Sequence, residues 1–162
     1  MARALGAGRQ PLVLLPSDNQ RVGAHAVHLV WRQYAQAVRL AGAVPLIAPP
    51  CSDVEMHTLL ASVDGVLLTG SPSNVHPSHF GEDVPDPSLP LDPERDDEPL
   101  APDGLVEAFS LEHAPGFNLC LQWHPEWAAA DNLVSMQILR AFGAAVRAWQ
   151  HRHQNRQAVA KH

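Results

Sequence analysis

Three short apolar runs, PLVLLPS at 11–17, AVPLIAP at 43–49 and GVLLTG at 65–70, recur through the first 70 residues with helical patterns between them. Each run is too short for a helix and is closed by turn-forming residues, the pattern of a strand buried on both faces. From His25 to Ala41 the apolar residues Val27, Val30, Trp31, Tyr34, Val38 and Ala41 recur at intervals of mostly three and four, and Gly42 follows as a stop signal. This spacing predicts an amphipathic helix. SDVE at 52–55 is a capping box, in which Ser52 and Glu55 each satisfy a free backbone N–H at the start of a second helix carrying Leu59, Leu60 and Val63. Strand, helix, strand, helix, strand with short links means parallel strands joined by crossovers. The expected fold is therefore α/β, an open, mostly parallel sheet with helices on both faces.

Ligand sites in such sheets lie beyond the carboxyl ends of the strands, so the turns PSDNQ, PPCS and TGSPSN share the expected functional edge. Further on, LVEAFS and FNLCLQW read as two strands of a hairpin, with the Pro and Gly of LEHAPG in the turn between them. Asp131 or Asn132 caps a last helix with Leu133, Met136, Leu139, Phe142, Val146 and Trp149 on one face. One domain is expected over residues 1–150. It comprises a βαβαβ half at 10–83, an acidic proline-rich segment at 84–103, and the hairpin and helix at 104–149, followed by a frayed basic tail at 151–162.

The net charge of −6 is concentrated in one place. Between Glu82 and Glu98 stand eight acidic residues and one arginine, so the rest of the chain is close to neutral. Pro85, Pro87, Pro90 and Pro93 bar a regular helix there, and self-repulsion favours an extended course. The tail beyond Arg147 has no aromatic interleaving after Trp149, which argues against a nucleic-acid partner. No apolar run approaches the ~18 residues of a membrane span and no secretory h-region is present, so no membrane partner is expected and the cytoplasm is the expected location. Cys51 and Cys120 fit reduced thiols rather than a disulfide framework.

The chemistry-bearing stretch is LCLQWHPEW at 119–127. In extended backbone, residues two apart share a side, so Glu126 can lie against the His124 imidazole. Pro125 pushes His124 into the extended region and stops the strand at its edge. A carboxylate bonded to one ring nitrogen leaves the other as a base, the orienting role in a nucleophile–base–acid triad. From spacing alone, a strand-end pair that merely finishes a turn is the other reading.

LQWHPEW, together with TGSPSNVHPSHFGE and YAQAVRLAGAVPLIAPP, resembles the class I glutamine amidotransferase-like hydrolases, nearest to the γ-glutamyl-γ-aminobutyrate hydrolase branch, peptidase family C26. The resemblance covers about 11–98 and 101–148. It implies a flavodoxin-like sheet, here incomplete, and hydrolysis of γ-glutamyl amide bonds by a Cys-His-Glu triad, with a γ-glutamyl small molecule as substrate and no cofactor. It makes His124 the general base, Glu126 its orienting acid, and the backbone N–H groups of Gly70 and Ser71 the oxyanion donors. His76, His79 and Phe80 would wall the substrate pocket.

The resemblance also exposes a gap. Relatives carry, between the parts resembling RDDE and APDGLVEAF, a helix, a buried strand and a Gly-x-Cys-x-Gly turn bearing the nucleophile. Here Glu98 runs through Pro99 and Leu100 straight into the late part of the pattern. Cys120, four residues before His124 on one extended strand, would lie roughly 13 Å from it between Cα atoms and reads as a buried core thiol. Cys51, in PPCSD, and Ser71 and Ser73 lack the glycines of a nucleophile elbow. HAVH and HPSH each offer two histidines three apart, short of the convergent ligand set of a metal site, so no metal is expected. GAGRQP precedes the first strand, whereas a dinucleotide fingerprint follows one. Losing an interior strand leaves three outcomes open: the sheet closes over the gap, two chains pair as a homodimer at exposed edges, or the chain stays partly folded.

Overall fold

The computed structural model describes residues 9–70, 108–114 and 116–159. The chain divides by compactness into two units, Met1–Thr69 with Pro125–His162, and Gly70–His124. In the first unit a three-stranded parallel sheet has β1 (Leu12–Pro16) in the centre, flanked by β4 (Val44–Ala48) and β5 (Gly65–Val66). β1 and β4 run in register from Leu12↔Val44 to Pro16↔Ala48. The sheet class read from the sequence is the one observed, although β5 is regular for two residues only, not for all of GVLLTG.

Alternation along β1 decides the layering. Val13 and Leu15, both fully buried, face a cluster containing Tyr34, Ala35 and Val38 of α1 (Arg32–Leu40) and Val146 of α3 (Leu133–Val159). Leu14 points the other way, toward Ala48, Val63 and the partly buried Met56 and Leu59 of α2 (Asp53–Ser62). Helices thus cover both faces. α3 comes onto α1 where Gly143 lies: a Cβ there would stand 1.9 Å from the Ala41 carbonyl oxygen. Arg147 Nη1 donates to the same oxygen at 3.1 Å, closing the carboxyl end of α1 beside Gly42, whose φ of +83° suits its place after the last helical residue.

The first helix is shorter than its periodicity predicts. His25–Leu29 is instead β3, paired antiparallel with β2 (Asp18–Val22), and the helix begins only at Arg32. PSDNQ is accordingly a strand start, not a turn. Gly23, at φ +62° in the two-residue link, supplies the left-handed position that such a hairpin needs. The hairpin is largely exposed, so selection for burial left no alternation to read, while Val27, Val30 and Trp31 happened to fall at helical spacing.

At the other end, α3 continues to Val159 through the segment expected to fray. Asn132 is its cap, accepting from the N–H groups of Val134 at 2.9 Å and Ser135 at 3.1 Å. Of the face assigned to it, Leu139 and Val146 are buried, but Leu133 is 84% exposed and Trp149 38%. Trp149 instead stacks on His153 at 6.1 Å and lies under the Arg152 guanidinium.

Val44 and Ala48 direct their backbone groups to β1: the Val44 N–H donates to the Pro11 carbonyl, and the Ala48 carbonyl accepts from the Ser17 N–H. Pro45 and Ile47 therefore turn theirs to the other side of β4, which no strand flanks among the described residues and where Pro45 has no N–H to offer. A proline on the outer side of a strand is a poor template for an added strand.

In the second unit, β6 (Ala108–Phe109) and β7 (Cys120–Leu121) form the expected antiparallel pair. Asn118 closes the loop: its side chain accepts from the Leu111 N–H at 2.5 Å and donates to the carbonyls of Leu111 and Gly116, both at 3.2 Å. Among the described residues no helix is long and apolar enough to cross a membrane.

Candidate active site

The carboxyl edge of the sheet is stitched by one residue. Ser17, just past β1 and buried, sends both its N–H and its Oγ to the Ala48 carbonyl, each at 2.9 Å. That fixes the ends of β1 and β4 together and commits the Ser17 hydroxyl as a donor. Beyond Ala48 the chain passes the half-buried Cys51 to Ser52, the N-cap of α2. The capping box forms as its sequence predicts: the Ser52 N–H donates to Glu55 Oε2 at 2.8 Å and the Ser52 hydroxyl to the same oxygen at 2.6 Å.

Those two bonds, the hydroxyl first, hold the Glu55 carboxyl below its ordinary value of 4.5. A depressed carboxylate stabilises the folded state above its unfolded pKa and loses that contribution as pH falls through the folded value. Ser52→Ala is expected to lower stability by about 1 kcal/mol at neutral pH. The gap between variant and parent in urea melts should narrow once the medium is more acidic than the ordinary Glu value.

β7 ends at Leu121, a bend covers Gln122 and Trp123, and Pro125 to Ala128 form a turn. The extended course predicted through His124 and Glu126 therefore stops short of them, because Pro125 cannot continue a ladder and the chain must reverse into α3. His124 is exposed and closes the second unit; Glu126 is half-buried in the turn that reopens the first. Ala128 adopts the left-handed conformation, φ 47° and ψ 35°, and its carbonyl accepts from the Asp131 N–H at 3.0 Å, which starts the single 3₁₀ turn Ala129–Asp131 before Asn132. Glu126 thus sits on a backbone anchored to the α3 cap.

Cys120 is exposed, not a core thiol. It stands in the β7 ladder opposite Phe109, where two short strands provide no second layer to bury it. The bend at Gln122 also shortens the extended-chain separation between Cys120 and His124, but Cys120 remains a ladder residue with no flanking glycines. Gly70 is exposed at the start of the second unit; Ser71, Ser73, His76, His79 and Phe80, and the acidic segment, lie outside the described residues. His25 and His28 of HAVH are both exposed on β3. Among the described residues no group of three or more His, Cys, Asp or Glu is placed to hold a metal ion.

Periodicity gave no sign of the buried carboxylate Asp64. It accepts from Arg9 at 2.6 and 3.1 Å, from the Leu12 N–H at 2.8 Å and from Gln150 at 3.2 Å. Lying at the amino ends of β1 and β5, this network ties the sheet to α3 and is structural. Asp64→Ala leaves the Leu12 N–H without its partner and should lower stability by about 2 to 3 kcal/mol, read as a shift in urea midpoint at unchanged slope.

An open parallel sheet with helices on both faces defines the α/β class to which the first unit belongs. The sequence pattern of the family described as Peptidase C26 matches residues 11–101 and 97–126, and the chain belongs to that family. It is 32% identical over 112 residues to the gamma-glutamyl-gamma-aminobutyrate hydrolase of Escherichia coli O157:H7. It is 30% identical to the gamma-glutamyl-gamma-aminobutyrate hydrolases PuuD of Escherichia coli K12 and of Shigella sonnei. In each case the match covers 68% of this chain and 42% of the relative, so the chain spans less than half the length of the curated relatives it matches.

Proposed function

We propose that this chain is a C26-type domain, single over 1–150, that recognises a γ-glutamyl small molecule in a reducing cytoplasmic setting but does not hydrolyse it. The observation that carries this reading is the way the family pattern fits. It fits as two pieces that overlap at 97–101, and the sequence contains no Gly-x-Cys-x-Gly pattern. His124 and Glu126 are the base and orienting acid of the family arrangement, with Gly70 and Ser71 as backbone donors and His76, His79 and Phe80 at the pocket wall.

In a triad hydrolase the base takes the thiol proton, the thiolate attacks the amide carbon, and the acyl group rests on sulfur until water releases it. Without that sulfur the proton acceptor has nothing to activate but water, and no acyl-enzyme forms. Binding needs only the pocket wall and the backbone donors. Calorimetric titration with γ-glutamyl-γ-aminobutyrate should show saturable binding, with chromatography of the same mixture showing no free glutamate. Release of glutamate at the rate of an intact relative would refute the reading.

A further inference from the structure

The two edges of the parallel sheet are built differently. On the outer side of β4 stand Pro45, with no N–H to give, and Ile47. On the outer side of β5 no strand stands among the described residues, and GVLLTG at 65–70 holds neither a proline nor a charge. Charges, prolines and bulges are what ordinarily keep an edge from adding a strand, and this edge has no charge and no proline.

One bond fixes which way the β5 backbone faces. The Leu67 N–H donates to the Leu14 carbonyl at 3.0 Å, so the neighbouring Val66 turns its N–H and carbonyl to the outer side. Side chains alternate in step. Leu67 packs on the cluster of Val13 and Val38, whereas Val66, in register with Leu14, lies on the α2 face and is 37% exposed. Leu68 is 79% exposed. The cluster on the α2 face takes in Leu14 and Leu12 of β1 and Ala48 and Leu46 of β4, and it stops short of β5. Apolar side chains and unpaired backbone groups are thus open together along one edge.

We propose that a second copy of this chain covers this edge, β5 against β5, antiparallel about a two-fold axis at Leu67. Val66 of each copy then lies opposite Leu68 of the other. Their outward N–H and carbonyl groups exchange bonds, and their side chains close over one another on the α2 face. Two features select a second copy as the occupant. An uncharged edge is complementary to itself under a two-fold rotation, since each copy supplies the donors, acceptors and apolar groups that the other leaves open. The opposite edge is blocked at Pro45, so the joined sheet, β4-β1-β5 of one copy running into β5-β1-β4 of the other, ends in two prolines. Association therefore stops at the dimer.

Sedimentation of the full chain from about 1 to 100 μM should show the mass rising from one chain toward two, with no larger species. Hydrogen exchange over the same range should slow at the Val66 and Leu68 amides as concentration rises and stay constant at Ile47. Leu68→Asp, at a side chain already in solvent, should hold the chain at the mass of one copy while leaving its circular dichroism unchanged. Ile47→Asp, on the β4 side, should leave the dimer intact. A parent that stays at the mass of one chain, species beyond the dimer, or a dimer that survives Leu68→Asp but not Ile47→Asp would each overturn the pairing. Should Leu68→Asp fail to fold, the parent decides alone: exchange at Val66 and Leu68 that ignores concentration sinks the proposal.

Discussion

Mixed with γ-glutamyl-γ-aminobutyrate, the purified chain should release amine at a rate about six orders of magnitude below that of an intact triad hydrolase. That is the scale on which removal of the nucleophile alone acts in such sites, because base, acid and nucleophile work as a unit. What remains is stabilisation by oxyanion donors and positioning, roughly 10³ to 10⁴ over water in hydrolases whose nucleophile has been removed. Cys51→Ala and Cys120→Ala should each leave that residual rate unchanged. Cys51 precedes a helix start and Cys120 sits in a two-strand ladder, and neither is placed on a strained strand-to-helix turn flanked by glycines. Coupled detection of released glutamate over several hours is sensitive enough to decide. A rate within a hundredfold of a full-length relative, abolished by either substitution, would mean that a thiol of this chain has taken over the role.

The second large effect is structural and runs against local propensity. Gly143 lies inside the 27-residue α3, where alanine is worth about 1 kcal/mol more than glycine in an isolated helix. A methyl group at that position would nevertheless meet the Ala41 oxygen at 1.9 Å, its carbonyl carbon at 2.9 Å and its Cα at 3.2 Å. These are backbone atoms held in place. The Ala41 N–H is bonded to Ala37, the Gly42 N–H to Arg39, and Arg147 clamps the Ala41 carbonyl itself. α3 must therefore back away from α1 by more than an ångström, opening the cluster of Ala37, Ala41, Ala129 and Leu139. Gly143→Ala should lower stability by about 3 kcal/mol net of the propensity gain, a fall of roughly 6 to 12 °C in melting temperature for a chain of this size. Gly116→Ala, with nothing within 4 Å of the added carbon, should change it by no more than about 0.5 kcal/mol. Equal effects of the two would show that α3 does not approach α1 this closely.

These two cases mark what a one-dimensional reading reaches. β1 was legible because a strand covered on both faces has no choice but to be apolar throughout, β4 because it is an apolar run closed by turn formers although Val44 and Ile47 stay exposed, and the α2 start because a capping box acts between residues three apart. The loop between β6 and β7 followed from its Pro and Gly. The β2–β3 hairpin was not legible, since strands this largely exposed carry no clear alternation and its valines imitate a helix. Asp64 and Gly143 were silent for another reason. Their meaning lies in partners 55 and 86 residues away for the carboxylate, and about a hundred for the glycine, and no local pattern records such contacts. The strand end that alternation suggested for His124 and Glu126 is not there: β7 stops at Leu121, and Glu126 lies in the Pro125–Ala128 turn.

The central claim, that a base and its orienting acid persist here with no thiol to serve, is tested most directly by covalent trapping. Exposed to an electrophilic glutamine analogue at neutral pH and read by intact-protein mass spectrometry, the chain should keep its unmodified mass over a period in which a full-length relative is labelled stoichiometrically. One adduct per chain, mapped by peptide sequencing to Cys51 or Cys120 and lost in His124→Ala, would contradict the account.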